Sequence, residues 1–144
     1  MDAKTMWEQY AASKNISAEY DAWCFGDDPD TLADLVLRGI KTATASAFPL
    51  YALEGEELPQ TGEYSVILWN DGTAACIIQT TRVYTMPFCQ VSAKQAYKEG
   101  EGDRSLAYWQ AVHRDFFSKE LQEAGLTFAE DMDVVCEEFI KVYP

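Results

Sequence analysis

The chain predicts an α+β domain in which a few antiparallel strands form a small barrel capped by helices. Three observations predict it. Helical periodicity marks 3–14, 30–38 and a long stretch after Ser105, two strand-like apolar runs meet at Asn70-Asp71-Gly72, and a last strand-like run closes the chain. Strands this few and this antiparallel do not suit a doubly wound sheet.

Taken in order, 3–14 places Met6, Trp7, Tyr10 and Ala11 on one side of a helix. Ser17 can cap a second helix running to about Cys24, after which the aromatic group Tyr20, Trp23 and Phe25 gives way to the turn Gly26-Asp27-Asp28-Pro29. Aromatics this close pack a core or offer a stacking platform for a base. Asp28 or Asp30 then caps a helix to Arg38, Gly39 stops it, and Thr42 to Ser46 alternates hydroxyl and alanine as a short strand does.

Phe48 to Leu53 reads as a short helix, Tyr64 to Trp69 as a strand apolar on both faces, and Ala75 to Tyr84 as its returning partner. Ser92 caps a helix through about Lys98, and the loop Glu99 to Asp103 follows. Asp103 or Ser105 caps the longest helix, which carries Leu106, Trp109, Val112, Phe116, Phe117 and Leu121, and Gly125 ends it. In the final strand, about Met132 to Tyr143, Glu138 interrupts the side that carries Val134, Cys136, Ile140 and Val142. Either a bulge turns it out or it points into a polar pocket.

The 144 residues fit one domain, long enough to bury roughly two thirds of the unfolded surface. Eleven lysines and arginines against 24 aspartates and glutamates give a net charge of −13, which disfavours extended nucleic acid held by nonspecific electrostatics and anionic membranes alike. A small ligand or a single nucleoside remains compatible with it. With no leader-like or membrane-length apolar segment, a cytoplasmic location is expected. Cys24, Cys76, Cys89 and Cys136 lack C-x-x-C spacing and read as reduced thiols, and the lone His113 excludes a histidine-rich metal site. No metal or cofactor is expected.

Chemistry concentrates in two segments that can face one another: Lys41, Thr42, Thr44 and Ser46 at a helix-to-strand junction, and Glu99, Glu101, Asp103 and Ser105 in the later acidic loop. The plain reading is a helix stop, a wet strand, solvated carboxylates and a cap. The chemical reading is a lysine acting as base toward a threonine hydroxyl, with a carboxylate protonating a leaving amine or orienting water. Residues three apart on a strand point to opposite faces, so Lys41 and Thr44 share a site only if Lys41 lies in the turn before the strand.

Several segments together resemble the ASCH domain family, which is related to the PUA domains: Trp23-Cys24-Phe25-Gly26-Asp27, Gly39-x-Lys41-Thr42-Ala43-Thr44, Gly62-Glu63-Tyr64, Ala96-x-x-Glu99 through Trp109, and Val135-Cys136-Glu137-x-Phe139. The resemblance covers almost the whole chain and implies a PUA-like β-barrel with helices packed around it, as a single domain over 1–144. It implies RNA or modified-nucleotide binding, ribonuclease activity, or hydrolysis of the acetyl amide of N4-acetylcytidine. For that last activity the matching positions are Lys41 as base, Thr44 as nucleophile and Glu99 as proton donor or water-orienting group. The compact amidohydrolases carry an arginine two residues after the threonine, where this chain has Ser46. The leading expectation is hydrolysis of a small amide on an acylated nucleoside, with Tyr20, Trp23, Phe25, Thr42, Ser46, Asp103 and Ser105 binding substrate.

Overall fold

A mixed five-stranded sheet in the order β1-β3-β4-β5-β2 forms the middle of the molecule, and five helices pack around it. The computed structural model describes residues 1–144. The elements run α1 (Ala3–Lys14), β1 (Tyr20–Trp23), α2 (Pro29–Leu37), β2 (Ala43–Ala47), α3 (Phe48–Glu54), β3 (Tyr64–Leu68), β4 (Ala74–Pro87), α4 (Ala93–Glu99), α5 (Leu106–Glu123) and β5 (Asp133–Tyr143). A 3-10 turn at Phe88–Gln90 follows β4. Only β1 and β3 pair in parallel, with Tyr20 against Tyr64. The fold is α+β as expected, but the ladder does not close: β1 and β2 are its two edges.

β4 and β5 form the longest pair, and core residues pack on both of its faces. Val134 and Cys136 of β5 face α5, where Phe88, Trp109, Phe117 and Leu121 complete one core. Phe139 looks the other way, toward Leu32, Ala33 and Val36 of α2 and Ile67 and Ile78 of the sheet. A third cluster joins Met6, Trp7 and Tyr10 of α1 to Val66 and Ile77. These burials supply the driving force that short helices such as α2 and α4 lack by themselves.

Two expectations change. Residues 17–24 do not form a helix; four of them become β1. The aromatic spacing suits either state, and β3 decides between them by offering the segment's backbone a ladder of partners. Ile140 lies half exposed, and the irregularity near Glu138 falls on β4 instead, where Thr80 pairs with Phe139 and Arg82 with Glu138, leaving Thr81 over. Glu138 stays on its side of the sheet and meets Lys98 and Arg82. Of the four free cysteines, Cys76 and Cys136 are buried and Cys24 and Cys89 are exposed. No helix is long and apolar enough to cross a membrane.

Candidate functional site

Lys41 lies in the connector between α2 and β2, outside the strand, as a shared site with Thr44 requires. Gly39 turns the chain at φ +75°, and the Ile40 and Lys41 amides both return to Leu35 O. The connector is then fixed to the end of α4: Thr42 N donates to Lys98 O at 2.7 Å, and Arg104 Nη2 donates to Ile40 O at 3.4 Å. Ser92 opens α4 by accepting from Gln95 N, and Gly100 closes it at φ +74°. Gly100 is packed so closely on Ile40 that an added Cβ would sit 2.7 Å from Ile40 O. Lys41 and Glu99 thus come together through backbone contacts between their own segments.

Their side chains form a charged cluster with almost no solvent access. Lys41 is 2 % exposed and Glu99 1 %. Lys41 Nζ donates to Glu101 Oε2 at 3.2 Å, lies 3.6 Å from Glu99 Oε1, and stands over the Phe25 ring at 5.2 Å. Glu99 Oε2 accepts from Trp109 Nε1 at 2.6 Å and from Gln95 Nε2 at 3.1 Å. Glu99 Oε1 is buried without a regular hydrogen bond, between His113 Nε2 at 3.3 Å and Lys41. Burial works against a charged Glu99, but the Lys41 ammonium, the His113 ring and the Trp109 hydrogen bond outweigh it and hold the carboxyl below its ordinary value. Glu99, Glu101 and His113 bring one donor atom each within 4.8 Å of one another, and the cation already among them is the Lys41 ammonium.

The cluster forms the floor of a cleft lined also by Phe25, Gly26, Thr44, Ala45 and Phe116. The cavity is about 50 Å³. Thr44 stands at this wall, and its backbone carbonyl accepts from Gln95 Nε2 at 3.2 Å. Gln95 therefore ties the strand that carries Thr44 to the carboxylate of Glu99. Lys41, Thr44, Glu99 and Phe25 are thereby brought to one cavity.

The other expected residues lie outside its lining. Tyr20 stacks on Trp7 with ring centroids 5.0 Å apart, and Trp23 packs edge-on against Phe25. Thr42 Oγ1 donates to Lys98 O, and Ser46 shares a 2.6 Å hydrogen bond with Tyr51. Asp103 accepts from the Ser105 amide, and Ser105 caps α5 by accepting from Tyr108 N.

Two members of the cluster were not singled out from the sequence, His113 and Gln95. Both follow an i, i+4 signal: Gln95 sits one helical turn before Glu99 on α4, and His113 one turn after Trp109 on α5. His113 stacks on Trp109 at 4.2 Å between centroids, and its Nδ1 lies 2.8 Å from Trp109 O. A carbonyl only accepts, so Nδ1 carries a hydrogen.

Comparisons with known proteins bear on the family and the fold. The family model of the ASCH domain matches residues 21–143. The crystal structure of an ASCH domain from Lactobacillus crispatus JV V101 is 41% identical, with a TM-score of 0.90 over 98% of this chain and 94% of that one. A protein from Enterococcus faecalis V583 is 36% identical, with a TM-score of 0.91 over 97% and 87% of the two chains. A structure described as a hypothetical protein, 13% identical with a TM-score of 0.57, shares the fold over 87% of this chain and 100% of that one. Among curated proteins there is no match.

Proposed function

The chain belongs to the ASCH domain family, and from that premise and the geometry of the cleft we propose that it hydrolyses a small amide on an acylated nucleoside of the N4-acetylcytidine type. One observation carries the proposal: a buried lysine and a buried carboxylate meet at the floor of a cleft whose wall presents a threonine. Thr44 serves as nucleophile, Lys41 activates its hydroxyl, and Glu99 delivers the proton that the leaving amine needs. Lys41 becomes a base by passing a proton to Glu101 along their 3.2 Å hydrogen bond and taking the Thr44 proton in its place. Phe25, in the cleft lining beside Lys41, supplies an aromatic surface for the base.

Incubating the purified protein with N4-acetylcytidine and following release of cytidine tests this reading. Turnover is expected, with Lys41→Ala and Thr44→Ala each lowering kcat by about 10²-fold or more. Absence of turnover, or full activity in either variant, overturns it.

A binding module for RNA or a modified nucleotide is the second reading, and a separate surface favours it. Arg82, Lys94 and Lys98 converge with Tyr84 on a depression of about 170 Å³, although Glu138 already engages Arg82 and Lys98. Binding of a short RNA that weakens steeply with salt and is lost on Lys94→Glu would select this reading. Cleavage of that RNA would extend it to ribonuclease activity.

A further inference from the structure

His113 is the only histidine of the chain, and its surroundings set its proton count. The ring is 7 % exposed and is flanked by Trp109 and Phe117. Nδ1 gives its hydrogen to Trp109 O, which leaves Nε2 facing Glu99 Oε1 at 3.3 Å. A neutral imidazole in that tautomer would set a lone pair against a carboxylate oxygen, which is repulsive in a site closed to water. Glu99 cannot relieve this by turning, because Trp109 and Gln95 both hold its other oxygen. A proton between Nε2 and Oε1 removes the conflict, and Lys41 Nζ at 3.6 Å favours keeping it on the ring and Glu99 ionised.

We propose that His113 stands in the cleft as an imidazolium and acts through Glu99 as a positioning residue, supplying the proton that Glu99 delivers. The proposal rests on the amide-hydrolase reading for its use, though not for its protonation state. The charged groups facing the ring are Glu99 at the end of α4, Glu101 in the following loop and, across Glu99, Lys41 of the α2–β2 connector. Burial opposes the charge, but the Glu99 carboxylate 3.3 Å from Nε2, with Glu101 behind it, raises the imidazole above its ordinary value.

The proton account closes. The Thr44 oxygen bonds the acyl carbon as the C–N bond breaks, and the nitrogen takes a proton from Glu99 Oε1. Oε1 receives that proton from His113 Nε2, leaving a neutral ring with hydrogen on Nδ1. The Thr44 proton enters at Lys41, and the proton Lys41 had passed to Glu101 re-forms the imidazolium. One proton enters the cluster for each that leaves it, and water then attacks the acyl carbon: the C–O bond to Thr44 breaks, one water proton returns to the Thr44 oxygen and the acid departs.

A single histidine makes the test direct, since labelled protein gives one pair of imidazole nitrogen signals. At pH 7 without substrate, both nitrogens are expected in the protonated range, and in Glu99→Gln one of them should move to the unprotonated range at the same pH. A neutral ring in the wild type at pH 7, or an unchanged ring in Glu99→Gln, overturns the proposal whether or not the protein hydrolyses anything. In the N4-acetylcytidine assay, His113→Asn is expected to lower kcat by about 10²-fold with little change in KM. Unchanged kcat with wild-type pH dependence also overturns it. Failure of the wild type to turn over substrate would instead sink the hydrolase reading, with the ring signals still deciding the charge of His113.

Discussion

A lysine that is 2 % exposed is costly to bury, and Lys41 is tolerated because two carboxylates and an aromatic face surround it. The same reasoning gives the cost of removing it. Lys41→Met leaves Glu99 buried beside an apolar chain, and chemical denaturation should show a loss of about 3–5 kcal/mol. A loss below about 1 kcal/mol would mean that water enters the cleft and screens the carboxylate. The spacing of Lys41, Thr44 and Glu99 was legible in the sequence, as was the need for Lys41 to sit in the turn. The ionisation of Glu99 was not, because it depends on Trp109, Gln95 and His113, and only the folded backbone of α5 brings the indole and the imidazole to the carboxylate.

At the scale of elements, the site is a joint between the α2–β2 connector and the end of α4. Gly100 is its tightest point, because it combines positive φ with a close approach to Ile40 O. Gly100→Ala adds a methyl that must push the two segments apart, and the expected outcome is a loss of about 1–3 kcal/mol with weakened activity. A thermal melt and the cytidine assay together check it; Gly39→Ala, at φ +75° but with nothing within 4 Å of the added carbon, should lose stability through backbone strain yet keep its activity. Caps at Ser92 and Ser105 and the β3–β4 hairpin were legible because they are local patterns. β1 was misread as helix because its only strand partner, β3, lies some forty residues later and leaves no mark on the segment itself. For the same reason the sequence could suggest a closed barrel while the pairing stops at β1 and β2.

Across the whole molecule, stability should depend on pH through groups that pull in opposite directions. Glu137 on β5 is pushed up to about 7, by burial first and then by Glu63, against the Thr80 hydroxyl that accompanies its Oε2. The folded state therefore binds a proton that the unfolded chain has released, and stability falls as pH rises from about 4.5 to about 7. Glu137→Gln should recover on the order of 2 kcal/mol at pH 8 and little at pH 4, measured by urea denaturation at both values. A variant no more stable at pH 8 than the wild type would show that Glu137 pays no desolvation cost. Glu99 acts the other way, contributing above the ordinary glutamate range and losing its contribution as pH falls through its lowered value. His113 contributes below about 6.5 and loses its contribution as pH rises through its raised value. With His113 charged, the cluster of Lys41, His113, Glu99 and Glu101 is electrically balanced, and the chain's charge, −13 with the histidine neutral, becomes −12 and resides wholly outside it. A diffusing uncharged nucleoside then meets the cleft at a frequency indifferent to ionic strength. A phosphorylated one is turned away on approach in dilute buffer and admitted faster as salt shortens the reach of the surface field.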